Sequence, residues 1–125
     1  MNDHVTHDAD ATTQAVLAHH LEFFWKFDLP GTMADYADNA TFISQGGVLH
    51  GTEAIGQFFS TLFEEFGKPG MSSTLLHQQV DGDTAYIVWT AESADNVFDM
   101  ATDTFIVCNG KIVTQTFAGK VLSKH

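Results

Sequence analysis

Asp103 sits in the segment Ala101-Thr102-Asp103-Thr104-Phe105-Ile106-Val107, where it shares an alternating face with Ala101, Phe105 and Val107. A carboxylate among such neighbours loses water, which disfavours its charged form and raises its pKa. A neutral carboxyl can donate to an oxyanion or act as a general acid. The competing reading is an Asp that bonds nearby backbone for structure. His20 stands one turn before Phe24 on a helical stretch, with His19 about 100° around the axis. An imidazole there can serve as acid or base, while a lone His on an apolar helix face is more often a satisfied core residue.

The other titratable candidates are weaker. His50 precedes Gly51-Thr52 and reads as a loop residue, and His77 lies on an alternating stretch that could face either way. His4 and His7 lack a rigid third ligand, so no metal site is expected there. Cys108 is the single cysteine, which excludes an intramolecular disulfide and a redox pair. With no phosphate-binding glycine loop and no ligand cluster, no metal, nucleotide or redox cofactor is implied. Five Lys and no Arg stand against 16 Asp plus Glu, a net charge of -11. Repulsion from phosphate makes nucleic acid and anionic membranes poor partners. No apolar run reaches the roughly 18 residues of a membrane span, and the first ten residues are unlike a signal peptide, so a cytoplasmic protein is expected.

A chain of 125 residues, 44% of them apolar, suits one domain. Residues 1–9 read as a flexible tail and 10–125 as the domain. Asp10 can cap a first helix that runs to about Phe27 on Leu17, Leu21 and Phe24, with a second apolar flank of Val16, Phe23 and Phe27. That stripe is wide enough to need cover on more than one side. Pro30 starts a short second helix ending near Tyr36, and Ala40–Ser44 reads as a strand. Thr52 caps a third helix on which Ile55, Phe58, Phe59, Leu62, Phe63 and Phe66 recur at steps of three and four. This Phe row is core first, although it can also close a pocket behind a flat ligand. Strands follow at 72–80, 84–94, 97–108 and 111–122, in two hairpins turning at Asp81-Gly82-Asp83 and Asn109-Gly110. Three helices before long antiparallel strands specify an α+β domain. Trp89 alternates with Ala85, Ile87 and Ala91 and is core or pocket wall.

The last hairpin decides what faces Asp103. A two-residue turn pairs Cys108 with Lys111 and sets Asp103 opposite Thr116. A three-residue turn pairs Val107 with Lys111 and sets Asp103 opposite Gln115.

The strings Asp28-Leu29, YADNATF (Tyr36–Phe42), HGTEAIGQFF (His50–Phe59) and DTFIVCNGKI (Asp103–Ile112) resemble the nuclear transport factor 2-like superfamily, in its SnoaL-like and ketosteroid-isomerase-like branches. The resemblance implies a cone-shaped domain, three N-terminal helices on a curved and mainly antiparallel sheet, enclosing a pocket and commonly paired as a homodimer through the sheet. It favours the second hairpin register, with Gln115 and Phe117 on the pocket side. Matched position by position, the isomerase branch's general-base Asp is replaced by Ser44, its helix-one oxyanion donor by His20, and its protonated Asp is kept as Asp103. A serine hydroxyl cannot remove a proton beside a ketone near neutral pH unaided, so steroid isomerisation by the usual route is not expected. The epoxide hydrolase branch needs an Arg, and the chain has none.

Together these readings make the domain a binder of an apolar or weakly polar organic ligand. Its chemistry, where catalytic, would be proton transfer, cyclisation or hydration and dehydration. Asp103 and His20 are the candidate catalytic pair; Phe24, Ser44, Phe58, Trp89, Phe105, Gln115 and Phe117 are the candidate ligand contacts. The alternative is a non-catalytic carrier or dimerisation module. Val113, Phe117, Ile106, Phe98 and Met100 are too many apolar residues for one sheet face, which again suggests a homodimer.

Overall fold

A computed structural model describes the backbone of residues 2–125 and the side chains from Asp8 onward, so His4, His7 and most of the expected tail fall outside the described side chains. Helix α1 spans Asn2–Trp25, which places Asp8 and Ala9 in the helix rather than in a tail. Asp10 is therefore inside α1 and not its cap. Its carboxylate instead accepts from the backbone N–H of Gly82 at 2.6 Å, and the Thr13 hydroxyl donates to the Gly82 carbonyl at 2.7 Å. Two side chains one turn apart thus pin the helix to the first hairpin turn.

Helix α1 ends with Phe27 at φ 56°. Asp28 N–H reaches Phe23 O and Phe27 N–H reaches Phe24 O, the paired bonds of a Schellman stop. The Asp28 side chain then caps α2 (Leu29–Met33) by accepting from Gly31 N–H at 2.9 Å, with Pro30 in the first turn. Helix α2 is shorter than expected, because Asp35 O accepts from Ile112 N–H and draws the chain into the sheet. Tyr36, expected at the end of α2, instead opens strand β1 (Tyr36–Ser44). Strand β2 (Gly47–His50) folds back on β1 as a short hairpin. Helix α3 (Gly51–Phe66) begins at Gly51, whose φ of +85° makes the sharp entry. Its N-cap position is His50, with no side-chain cap bond, so Thr52 does not cap it.

Strands β3 (Ser72–Asp81), β4 (Thr84–Glu92), β5 (Asn96–Cys108) and β6 (Lys111–Ser123) match the expected hairpins. The sheet order is β2-β1-β6-β5-β4-β3, antiparallel except for β1 beside β6. Register shifts in the β3–β4, β4–β5 and β5–β6 pairs give the sheet its curvature. The core lies between the concave face and the helices: Val16, Leu17 and Phe24 from α1, Ile55, Phe59, Phe63 and Phe66 from α3, and Ala85, Ile87, Ala101, Phe105 and Val107 from the sheet. Among the described residues, no helix is long and apolar enough to cross a membrane.

The β5–β6 hairpin keeps the two-residue turn of the first expected register and corrects the residue that both registers set opposite Asp103. Cys108 pairs with Lys111 through a two-residue turn with Asn109 and Gly110 at φ 53° and 76°, the signs of a type I′ turn. Val107 then pairs with Ile112 but Ile106 with Thr114, which leaves Val113 as a bulge. Asp103 therefore faces Phe117, neither Thr116 nor Gln115. The second expected register was two residues off, so it still assigned Gln115 and Phe117 to the correct face.

Candidate functional site

A cavity of about 480 Å³ opens between the helices and the concave face of the sheet. Its volume lies within the roughly 300–1,000 Å³ common for small-molecule sites. Phe24, Phe58, Trp89, Asp103, Phe105, Gln115, Phe117 and His20 all line it, so eight of the nine sequence candidates come together. Ser44 does not line it. It lies at the end of β1, two residues beyond the lining Phe42, and its hydroxyl accepts from Gly46 N–H at 3.1 Å. The other walls are mostly apolar or aromatic, including Leu21, Trp25, Phe59, Leu62 and Phe98, with Glu65, Ser73 and Asn96 as further polar lining residues and no Lys among the described ones.

Asp103 is placed by strand alternation and held by two donors. Trp89 Nε1 donates to Oδ2 at 2.7 Å and Gln115 Nε2 donates to Oδ1 at 3.0 Å. The Tyr36 hydroxyl in turn donates to Gln115 Oε1, orienting the amide so that its NH2 faces the carboxylate. Burial pushes Asp103 up to about 6, and the Trp89 and Gln115 bonds partly oppose that rise. Burial also pushes the Tyr36 hydroxyl well above the usual phenol range, so it stays a donor. Near neutral pH Asp103 is therefore mostly a carboxylate, an acceptor whose proton affinity is close to the working pH. This fits a general acid–base role better than a permanently protonated oxyanion donor.

His20 is 2% exposed and does not bond Asp103. Its ring lies edge-on to Tyr36 at 5.5 Å and to Phe105 at 5.3 Å between centroids. Burial lowers its pKa to about 4; the Thr32 backbone works against the drop and His19 adds to it. His20 is thus a neutral imidazole near neutral pH. Among the described residues, no three His, Cys, Asp or Glu side chains converge as metal ligands.

Tyr36 and Asp35 are what the sequence reading missed. Continuing the inward alternation of Phe42 and Ala40 backwards leads to Tyr36, a signal hidden by assigning that stretch to α2. Trp89 proves to be wall, core and hydrogen-bond donor at once, a role no spacing shows.

An NTF2-like protein of unknown function from Mesorhizobium loti superposes with a TM-score of 0.77 at 22% identity, over 89% of this chain and 93% of that one. The epoxide hydrolase/cyclase-like enzyme SalBIII, described in pyran ring formation in the polyether salinomycin, gives 0.74 at 17% identity, over 86% and 90%. A steroid delta-isomerase from Pseudomonas aeruginosa gives 0.72 at 17% identity, over 88% and 80%. At these identities the likeness establishes the fold, which hosts several chemistries. No curated protein matches the sequence. The SnoaL-like domain model matches residues 17–115, from the cavity-side face of α1 to the glutamine that orients Asp103, and the chain therefore belongs to the SnoaL-like family.

Proposed function

We propose that the cavity binds an uncharged or weakly polar organic molecule and that Asp103 exchanges a proton with it, in a proton-transfer, cyclisation or hydration–dehydration reaction. The observation that carries this reading is a carboxylate at the wall of an apolar cavity, raised to about 6 by burial and fixed by Trp89 and Gln115. Apolar walls and the absence of a lining Lys disfavour an anion, whose desolvation nothing would offset. His20 contributes a neutral ring at the same wall.

Two measurements test it. Binding of the neutral fluorophore prodan, followed by quenching of Trp25 and Trp89, should saturate and should weaken when Leu62→Trp fills the cavity. Washout of the α-deuterons of 1-tetralone should be faster with the protein than with buffer and return to the buffer rate in Asp103→Asn. Saturable binding with no washout supports the carrier reading instead, and no saturable binding overturns both.

A homodimer packed sheet to sheet accompanies this proposal. Its apolar argument is narrower than the sequence suggested, because Phe98 and Phe117 line the cavity; Met100, Ile106 and Tyr86 are exposed.

A further inference from the structure

His19 and His20 are consecutive on α1, yet both Nδ1 atoms approach one oxygen. His19 Nδ1 lies 2.8 Å from Asp35 Oδ2 and His20 Nδ1 lies 4.0 Å from the same atom. The three side chains grade from outside to inside: His19 is 44% exposed, Asp35 12% and His20 2%. His20 Nδ1 is sealed from solvent and has no hydrogen-bond partner among the described residues, an unfavourable state for a buried polar atom. His20 is itself a lining residue of the cavity. Asp35 is fixed from behind, since its carbonyl accepts from Ile112 N–H at 2.7 Å and the neighbouring Ala34 carbonyl accepts from Lys111 Nζ at 2.6 Å. The carboxylate therefore lies behind His20, between that buried ring and the half-exposed His19.

We propose that Asp35 is the positioning residue for His20: it accepts the Nδ1 proton, fixes that tautomer, and leaves Nε2 as the basic nitrogen turned to the cavity, while His19 holds the other side of the carboxylate. A carboxylate that takes one imidazole N–H makes the far nitrogen a better acceptor. Closing the 4.0 Å separation needs a shift of about 1 Å to reach hydrogen-bond distance. Burial lowers His20 to about 4, so the ring is neutral near pH 7 and the position of its single proton is what decides its chemistry. Burial also raises Asp35, and His19 and Lys111 counter that rise, keeping an acceptor beside the ring. The inference rests on the proposed role of the cavity only for its chemical use; the tautomer is a property of the protein alone.

Long-range proton–nitrogen NMR on histidine-labelled protein at pH 7, with the His20 signals identified from their loss in His20→Asn, reads the tautomer directly. The expected result is a protonated Nδ1 and an unprotonated Nε2 in the wild type, unchanged in His19→Gln, and shifting toward a protonated Nε2 in Asp35→Ala. A wild-type ring protonated on Nε2 overturns the proposal, whatever the variants do. So does an Nδ1-protonated ring that stays so in folded Asp35→Ala, because the Thr32 backbone beside the ring would then be holding the proton. Should Asp35→Ala not fold, Asp35→Leu at reduced temperature gives the same reading. An Nδ1-protonated His20 together with no 1-tetralone washout would support Asp35's role and overturn the catalytic reading alone.

Discussion

Trp89 and Asp103 meet diagonally across β4 and β5, the indole N–H donating to the carboxylate at 2.7 Å while the ring stacks on Phe98 with centroids 5.4 Å apart. The aromatic wall of the cavity thus also sets the proton affinity of its carboxylate. Trp89→Phe keeps most of the ring surface and deletes the donor. Asp103 should then titrate above its present value of about 6, and the fold should lose about 1.5–3 kcal/mol, the usual worth of a hydrogen bond to a charged group. A carbon-detected titration of the Asp103 carboxyl measures the first effect and urea unfolding the second. A titration unchanged in the variant would show that the bond does not tune the site.

The pH dependence of stability divides between two buried groups with opposite signs. His20 falls from 6.5 to about 4 and Asp103 rises from 3.8 to about 6, each equivalent to about 3 kcal/mol. Below pH 6.5 the unfolded His20 binds a proton that the folded one refuses, so its contribution is lost as pH falls toward 4. Between pH 4 and 6 the folded Asp103 binds a proton that the unfolded one has released, so its contribution is lost as pH rises. Asp35, also raised, acts in the same sense as Asp103. The wild type should therefore show a shallow profile from pH 4 to 6. Asp103→Asn should become more stable as pH rises through that window, and His20→Phe less stable. Parallel slopes in the two variants would contradict the assignment.

Glycine positions on the two shorter helices should respond oppositely. A Cβ on Gly31 would lie 2.4 Å from Phe23 Cδ1 and 2.7 Å from Cγ, so Gly31→Ala should cost about 1–3 kcal/mol through overpacking between α1 and α2. Gly56, within α3, meets only Met33 Cγ at 4.0 Å. Gly56→Ala should stabilise by up to about 1 kcal/mol by lowering the entropy of the unfolded chain. Thermal or urea unfolding of both variants checks the pair.

The exposed Tyr86, Met100 and Ile106 predict a sheet-to-sheet homodimer. Sedimentation at micromolar concentration should give twice the 13.7 kDa of the chain. Ile106→Lys should reduce it to the monomer with the melting curve otherwise cooperative. A wild-type monomer at that concentration would remove the dimer from the proposal.

Which parts were legible in the sequence follows from where the determinants lie. The four long strands and α3 were readable because turn pairs such as Gly82-Asp83 and Asn109-Gly110, and the Phe periodicity, are local signals. Tyr36 was assigned to a helix because its strand is specified by parallel pairing with β6, where its partner is Ile112, far along the chain. The inward face of Asp103 and Trp89 was visible from alternation and that of Gln115 only through the family resemblance that chose the register, but the hydrogen bonds among them depend on distances between strands. The shared Asp35 was invisible for the same reason: nothing in the spacing of His19, His20 and Asp35 shows that a turn of α2 returns the carboxylate to α1.

The bulge at Val113 acts as a parity switch in β6. Ile112 is buried on the turn side of it and Gln115 and Phe117 line the cavity beyond it, so the inward set changes from even to odd numbers within two residues. One residue thus decides whether the distal half of the strand shows the cavity an amide and a phenyl ring or the hydroxyls of Thr114 and Thr116. Were Val113 to enter the ladder opposite Ile106, Thr116 would stand opposite Asp103 and the hydroxyls would turn inward, whereas deleting Val113 would remove the bulge and keep Gln115 and Phe117 on the cavity face. In this fold one extra strand residue, placed outside the cavity, therefore sets which chemistry the cavity presents.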